Sequence, residues 1–415
     1  MANLASTSRT QVRYIKEVTP GTTPVMGNAT DLRVTGESLD RNVTKVKSDE
    51  IRSDRQISSV TPTSASTSGG LNFEFSYGEF DPFLEAVMQD NYTVYGTNGV
   101  GTTFTCDFLA ATMTASVAPT GANAFTTLQK GQWFRVSAGA NANHGKLLRV
   151  STVTAPTSTV ITLDTNTPAV VSAAVANVAV QTSRLVNGTL MQYFTLEKQF
   201  GGLGAGGTDS EFFSFKGMTP SKLSLEFSAA SKTTGSFDFM GYTGSQASTT
   251  ILPGTANASR TYDIHNGASG ISNIWLNGVP TTSTQFVKSL SLSLDNGLRG
   301  QEGLGTLGYV GIGNGTLNMT GTMTMYFADG AMYQQFLANT YASITVGSID
   351  ASGNGYFIAL PKLSLTTAKV VAGGKDQDLM VEFTVDALVD DTNATAALRK
   401  SVIIDRVGAA LVPLV

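Results

Sequence analysis

Strict alternation of apolar and polar residues is the feature that most limits how this chain can fold. It is clearest between Asn187 and Gly241, where Leu223, Leu225 and Phe227 are separated by single hydrophilic residues. A period of two indicates β-strands. Strands with one apolar and one hydrophilic face belong to antiparallel sheets that pack on a core on one side only. This block therefore predicts four short antiparallel strands.

The same alternation recurs along most of the chain, so the sequence predicts a mainly β fold of antiparallel sandwich or barrel type. Two short helices interrupt it. Asp81 and Pro82 are typical of a helix start, with Asp81 as the expected cap, and Asp329 is expected to cap a second helix over 331–338. We find no internal repeat of fixed period in the sequence.

The order of several short segments resembles the tail tube proteins of long-tailed, non-contractile bacteriophages (the siphophage type). The Asn187 block contributes an Asn-Gly-Thr start, an aromatic strand, Glu-Lys-x-Phe, Phe-x-Gly-Met and Leu-x-Leu-x-Phe. Further matching segments are EVTPGTTP from Glu17, LRVTGESLDRN, SDEIRSDRQ from Ser48 and GNGYFIALPKLSL from Gly353. They are spread over most of the chain except roughly residues 93–183.

This resemblance implies a tail-tube fold and a structural role in the virion tail. Members form hexameric rings whose subunits share one inner β-barrel, and the rings stack into a tube that conducts DNA from head to host cell. The implied partners are further copies of the chain, a tape-measure protein and DNA in the lumen, and the tail terminator and tail-tip proteins. We expect the inner strands to come from 189–196, 222–228, 286–294 and 316–327.

Residues 93–183 differ in character, with few charged residues and three successive predicted strands. We interpret them as an inserted small all-β domain, and the resemblance implies that a module at this position decorates the outside of the tube. The tail-tube domain then comprises residues 1–92 and 184–415, with arms at both ends. Insertions of this kind are tolerated at exposed loops whose ends lie close together.

The candidate subunit-interface residues fall mainly in the charged segment that precedes a Ser/Thr-rich turn. Complementary charges at such a position fix the register of neighbouring subunits, although a solvated loop is the alternative interpretation. The candidates are Ile51, Arg52, Asp54, Arg55, Gln56, Gly217 and Arg399.

Charge and composition exclude several classes of function. The formal charge is −4 and no basic tract is present, whereas tight DNA binding needs many lysines and arginines. We therefore expect residues lining the tube to sum to neutral or negative. The single cysteine, Cys106, allows no internal disulfide. No signal peptide or membrane span is expected, so we predict synthesis and assembly in the host cytoplasm without a membrane partner.

The chemical motifs in the sequence are weak, and we predict no catalytic, cofactor or metal site. Two matches to G-x-G-x-x-G, from Gly202 and from Gly303, precede strand-like segments and are read as loops. Asp350 to Gly355 lacks the glutamate of a calcium loop and is read as a hairpin turn. His265 and Asp263 are expected to form a surface pair, because no nucleophile motif accompanies them.

Three alternatives remain open at this point. A neck or capsid protein would share the broad structural class. A glycan-binding adhesin would carry an aromatic-lined groove on residues 93–183. An enzyme would require His265 to be buried beside a nucleophile.

Overall fold

The protein is mainly β, as the alternation predicts. The computed structural model describes residues 6–139, 141–204, 207–268, 271–281, 285–328, 330–372, 374–391 and 399–409. Every ladder between the described strands is antiparallel, and two α-helices, α1 (Asp81–Met88) and α2 (Ala331–Leu337), lie among them. The predicted fold class is therefore confirmed.

The strands are numbered in chain order. The strands before residue 100 are β1 (Thr10–Lys16), β2 (Thr30–Leu32), β3 (Gly36–Glu37), β4 (Asp40–Lys47), β5 (Val60–Glu74) and β6 (Thr93–Val94). Those up to residue 181 are β7 (Phe104–Leu109), β8 (Thr112–Ala115), β9 (Trp133–Ser137), β10 (Leu147–Arg149), β11 (Val160–Thr162) and β12 (Ser172–Gln181).

The main body continues after this region. Its next strands are β13 (Ser183–Val186), β14 (Phe194–Leu203), β15 (Asp209–Ser228), β16 (Thr234–Gly241), β17 (Thr243–Ala247), β18 (Ile271–Leu276) and β19 (Val279–Pro280). The last are β20 (Val287–Asp295), β21 (Arg299–Glu302), β22 (Tyr309–Gly313), β23 (Asn318–Tyr326), β24 (Ala342–Ile349), β25 (Gly355–Ala372), β26 (Leu379–Leu388) and β27 (Ile403–Val407).

The first half of the main body is organised around the long strand β15. Along its first part β15 pairs with β14 on one side and β17 on the other, and along its second part it pairs with β16. β16 pairs with β5, β5 pairs with β3 and β4, and β14 also pairs with β1. Helix α1 follows β5 in the chain and packs on β15.

The second half of the main body repeats this arrangement. Along its first part β25 pairs with β24 and β27, and along its second part it pairs with β26. β26 pairs with β23, which also pairs with β20. β24 also pairs with β18. Helix α2 follows β23 and packs on β25. The first half's strands around β15 and its helix thus have counterparts in the second half. In chain order, β1 corresponds to β18, β3/β4 to β20, β5 to β23, and α1 to α2. Strands β14, β15, β16 and β17 correspond to β24, β25, β26 and β27.

The two halves join edge to edge because β20 pairs with the second part of β15. One continuous sheet of eight strand positions results, the main sheet, in which β3 and β4 together occupy the first position. The order is β3/β4, β5, β16, the second part of β15, β20, β23, β26 and the second part of β25. One face packs on the large apolar core, which includes Phe73, Leu225, Leu292 and Phe383. The opposite face is hydrophilic, as expected for half-buried antiparallel strands.

Residues 104–181 form a separate six-stranded sheet in the order β10, β9, β12, β7, β8 and β11. It encloses its own apolar cluster, with Phe108, Phe125 and Phe134 at its centre. Trp133 on β9 stacks on Phe357 of β25 with ring centroids 4.1 Å apart and planes within 3°. This contact fixes the small sheet against the second half of the main body.

Several local predictions are confirmed and others are wrong. Helix α1 begins at Asp81, but its carboxylate does not cap the helix; it accepts hydrogen bonds from Tyr356 Oη (2.6 Å) and Arg406 Nη1 (2.7 Å). The expected cap of α2, Asp329, lies outside the described residues. The strand predicted over 189–196 begins only at Phe194. Asp350 accepts hydrogen bonds from following backbone N–H groups in a hairpin turn, as predicted.

Candidate assembly surfaces

The β4–β5 hairpin ends in the segment that supplies five of the predicted interface residues. Residues 49–59 are all exposed, and Ile51 is as accessible as in an extended chain (100%). Arg55 has a φ of 56°, a left-handed conformation rare for a residue with a side chain. Ile51 therefore makes no contribution to the core of its own chain.

The charges at the hairpin tip are organised by one ion pair. Arg52 Nε and Nη2 donate to the Asp54 carboxylate at 3.0 and 2.8 Å, and Gln56 N–H donates to Asp54 Oδ1 at 3.3 Å. The hydrogen bond raises the pKa of Arg52 and lowers the pKa of Asp54. Because both side chains are exposed, the pair orders the tip without adding appreciably to the stability of the fold.

The other two candidates do not join this tip. Gly217 is buried in β15 with a φ of 68°, and its N–H donates to Glu17 Oε1 at 2.9 Å. Its surroundings belong to the same chain. Arg399 is exposed and precedes β27, far along the chain from the hairpin. The structure thus gathers Ile51, Arg52, Asp54, Arg55 and Gln56, and leaves Gly217 inside the subunit.

The main sheet has two unpaired edges that the sequence could not locate. The first edge (residues 36–42) pairs only with β5, and the second edge (residues 367–372) pairs only with β26 among the described strands. Asp40 on the first edge and Lys369 on the second are both exposed. No local signal marks an unpaired edge, because alternation gives the faces of a strand and not its neighbours.

The hydrophilic face of the main sheet is rich in hydroxyl groups. Its central strands present Ser289, Ser291 and Ser293 on β20, opposite Thr324, Thr322 and Thr320 on β23. The charged members of this face that are paired in the register of the main sheet are Asp40, Glu74, Asp238, Lys222, Glu226, Asp295, Glu382, Asp386, Lys362 and Lys369. Carboxylates outnumber lysines among them, so the face carries a net negative charge.

A family model described as phage tail tube protein matches residues 7–387. The chain belongs to this family. A search of curated proteins finds no match to the sequence. The match to this tail tube family covers both halves of the main body and the six-stranded sheet between them, and it makes the protein a structural component of the phage tail.

The expectation that His265 lies on the surface of this tail tube protein is wrong. His265 is fully buried, its Nδ1 lies 2.8 Å from Ser348 Oγ, and burial lowers its pKa to about 4. Asp263 is exposed and takes no part. Ser348 is also fully buried, so neither atom of the pair is accessible to a substrate in this conformation. The His265 ring packs edge-on against the ring of Phe75, so His265 is part of the core.

The described residues of the two glycine motifs lie at turns between strands. Gly202 and Gly204 lie at the β14–β15 turn, and residues 303–308 form the end of the β21–β22 hairpin, so neither glycine motif opens a helix. Among the described residues, no three His, Cys, Asp or Glu side chains are grouped to hold a metal ion. No helix in the described part of the chain has the length and apolarity needed to cross a membrane.

Proposed function

We propose that this chain is the tube subunit of a siphophage-type tail. The resemblance implies hexameric rings, and rings of this chain stack head to tail into a conduit through which DNA passes from head to host cell. The family match over residues 7–387 carries the proposal. The two unpaired edges of the main sheet support it, because exposed strand edges are satisfied when identical copies add strands to one another.

The faces of the main sheet indicate which side lines the channel. The core and both helices lie on the apolar face. When such sheets close into a ring, only the hydrophilic face is left free to face the lumen. Its hydroxyl groups and net negative charge suit the passage of DNA, since a neutral or negative wall does not bind phosphates. A tube lined by several Lys or Arg per subunit would contradict this.

We assign the hairpin tip, residues 48–59, to contacts between stacked rings. The tip is far from the core of its own chain, and Ile51 together with the Arg52–Asp54 pair offers one apolar and two charged contacts. Burying such charges against a partner fixes register more than it adds affinity. Arg399 and the chain ends are further candidates for this surface.

Head-to-tail stacking produces filaments of open length, so the length must be set from outside the subunit. A tape-measure protein in the lumen serves this purpose in the resembled family, and tail terminator and tail-tip proteins close the two ends. We propose the same partners here, with assembly in the host cytoplasm before release in the virion.

Residues 93–183 are proposed to be an insertion that decorates the outside of the tube. The two halves of the main body support this: four residues connect α2 to β24, whereas residues 89–193 connect α1 to β14. The extra sheet is docked on the main body by Trp133, on the side away from the hydrophilic face of the main sheet. Its described aromatic side chains are buried or half-buried, which gives no support to a glycan-binding adhesin.

Electron microscopy of the purified full-length chain tests the proposal. We expect stacked rings or tubes with an open lumen after concentration. Closed shells or a single unstacked ring would instead identify a capsid or neck protein. Ile51→Asp combined with Arg52→Glu is expected to give free rings without tubes. The control, Val153→Asp combined with Lys146→Glu in loops of the 93–183 region, should leave tube formation unchanged.

A further inference from the structure

The repeated connections of the main body extend to the irregularities of its strands. In β15, two residues oppose one residue of β14 just before Met218, and a single extra residue, Ser221, follows opposite β16. β25 shows the same two bulges in the same order, just before Leu363 and at Thr366. Both bulges align with one offset of 145 residues. Bulges are specific features of a fold, so the two halves are versions of one structural unit.

This alignment carries through the neighbouring strands. The offset makes Lys222 correspond to Thr367. Lys222 pairs with Asp238, which pairs with Gly70 of β5. Thr367 pairs with Thr384, which pairs with Thr322 of β23, so Gly70 corresponds to Thr322. As a result, buried residues occupy equivalent positions in the two halves. Leu71 and Phe73 of β5 correspond to Met323 and Met325 of β23, and all four are buried. By the hairpin registers, the first edge, residues 36–42, corresponds to residues 289–295 of β20.

The chain therefore already contains one strand pairing between two units, which we call the internal joint. At this joint the second part of β15 pairs with β20, and Lys222 lies opposite Asp295. The equivalent of β15 is β25, whose second edge has no neighbour in the described chain. The equivalent of β20 is the first edge, which also has none. Each chain thus carries the two halves of a further joint at opposite ends of its main sheet.

Building on the proposed function, we infer that one chain supplies two tube units, so that a ring of six units contains three chains. The second edge of one copy pairs antiparallel with the first edge of the next. The internal joint predicts the register: Ser224 lies opposite Ser293, which places Lys369 opposite Asp40 of the next copy. Eight strands per chain then give a closed barrel of twenty-four. This differs from the six chains that the family resemblance implies.

Exposure at the second edge supports a missing neighbour. Val370 lies on the core-facing side, opposite Val381 of β26, yet it is 41% exposed. Its counterpart at the internal joint, Leu225, is 3% exposed, and there β20 supplies the neighbouring strand. Covering Val370 by a strand of the next copy buries this apolar surface. Lys369 and Asp40 add opposite charges directly across the joint, an arrangement that favours one register.

In the single chain, side chains form hydrogen bonds with the outward-facing backbone groups of the first edge. The N–H of Leu39 donates to Glu37 Oε2 at 3.0 Å, and Lys198 Nζ donates to the Leu39 carbonyl at 2.7 Å. Pairing with Val370 exchanges these two contacts for backbone hydrogen bonds. Satisfied edge groups limit unspecific strand addition by a single chain.

A cysteine cross-link counts the chains in a ring. In a chain carrying both Asp40→Cys and Lys369→Cys, mild oxidation of assembled rings is expected to give covalent dimers and trimers on a denaturing gel and no larger species. Native mass spectrometry of rings should give three times the subunit mass of 43.4 kDa. Cys106 is buried and should not react. Ser224→Cys with Ser293→Cys is the control for geometry, because it should close a bond within one chain.

A charge variant tests the register independently. Asp40→Lys places two lysines opposite each other, and we expect at least a tenfold rise in the concentration needed for ring formation. Adding Lys369→Asp should restore assembly, whereas Asp263→Lys, the same charge change outside both edges, should have no effect. Circular dichroism verifies that each variant is folded.

The outcomes separate this inference from the proposed function. Rings with six chains, or a cross-linked ladder that continues beyond three, would overturn the two-unit subunit and leave the tube assignment intact. Tubes that form normally with Asp40→Lys would refute the joint. If the wild-type chain forms neither rings nor tubes, the proposed function itself fails.

Discussion

The backbone N–H of Gly217 donates to Glu17 Oε1 across 2.9 Å, although 200 residues of chain separate the two. The same carboxylate accepts hydrogen bonds from Thr195 Oγ1 at 2.7 Å and from the Gly21 N–H at 2.6 Å. Glu17 therefore fastens the N-terminal segment to the first bulge of β15. This bulge is where the long strand changes partners, from β14 to the strands of the main sheet.

Replacing Gly217 with alanine should destabilise the subunit without altering its assembly surfaces. The φ of 68° costs an L-residue about 1–2 kcal/mol, and a Cβ would lie 2.5 Å from Tyr242 Cδ2. We expect a clear fall in the midpoint of thermal unfolding, with rings still forming at low temperature. Gly278→Ala is the control, because its φ is also positive but nothing lies within 4 Å of the new Cβ. Equal losses in the two variants would contradict the role given to Tyr242.

Asp405→Asn should be among the most destabilising single changes in the chain. Arg184 Nε and Nη2 donate to the Asp405 carboxylate at 2.6 and 2.7 Å, and both side chains are buried. Removing one partner of such a pair leaves a buried charge unpaired, at a cost of about 3–5 kcal/mol. Urea unfolding measures the change.

The exposed pair of Arg52 and Asp54 provides the control for this prediction. Asp54→Asn makes the same chemical change where both side chains are in solvent, so no measurable loss of stability is expected. A stable Asp405→Asn protein would show that the carboxylate is not needed to hold Arg184.

Trp133→Ala should loosen the six-stranded sheet from the main body. The ring loses its stack on Phe357 and its contact with Trp275 at 4.4 Å between centroids. Large-to-small changes of buried aromatics cost about 3–5 kcal/mol. The expected signs are a red shift in the emission of Trp275, the remaining tryptophan, and faster proteolysis between residues 89 and 193. Unchanged emission and cleavage would show that other contacts hold the sheet in place.

Stability should fall as the pH drops below about 6.5, because of His265. In the folded chain, burial lowers the pKa of His265 to about 4, below the value of about 6.5 in an unfolded chain. Above pH 6.5 both states are neutral and the full stability is present. Between pH 6.5 and 4 only the unfolded state gains the proton, which costs the folded state up to about 3 kcal/mol.

His265→Gln removes this titration and provides the comparison. Urea unfolding from pH 7.5 to 4.5 should show a steeper loss in the wild-type chain than in the variant. Parallel curves would show that His265 takes up its proton as readily in the folded state as in the unfolded state, contrary to its burial beside Ser348.

The sequence by itself determined the local structure and much of the surface chemistry. Alternation identified the strands and their faces, because the side of a strand on which a residue lies depends only on its position in a period of two. The charged segment from Asp49 to Gln56 is exposed, as a solvated or contact loop requires. The Ser/Thr-rich stretch after it was expected to be a turn, but from Val60 it forms β5. The start of α1 at Asp81 and the turn at Asp350 followed from equally local signals.

Only the tertiary structure decided which strands are neighbours and which have none. The two halves share a pattern of connections, but an extra sheet between α1 and β14 and unequal hairpins remove any fixed period from the sequence. Gly217 was taken for a surface residue and His265 for a solvated one, and both are buried by segments distant in the chain. Strand pairing depends on such distant contacts, which leave no local trace in the residues that make them.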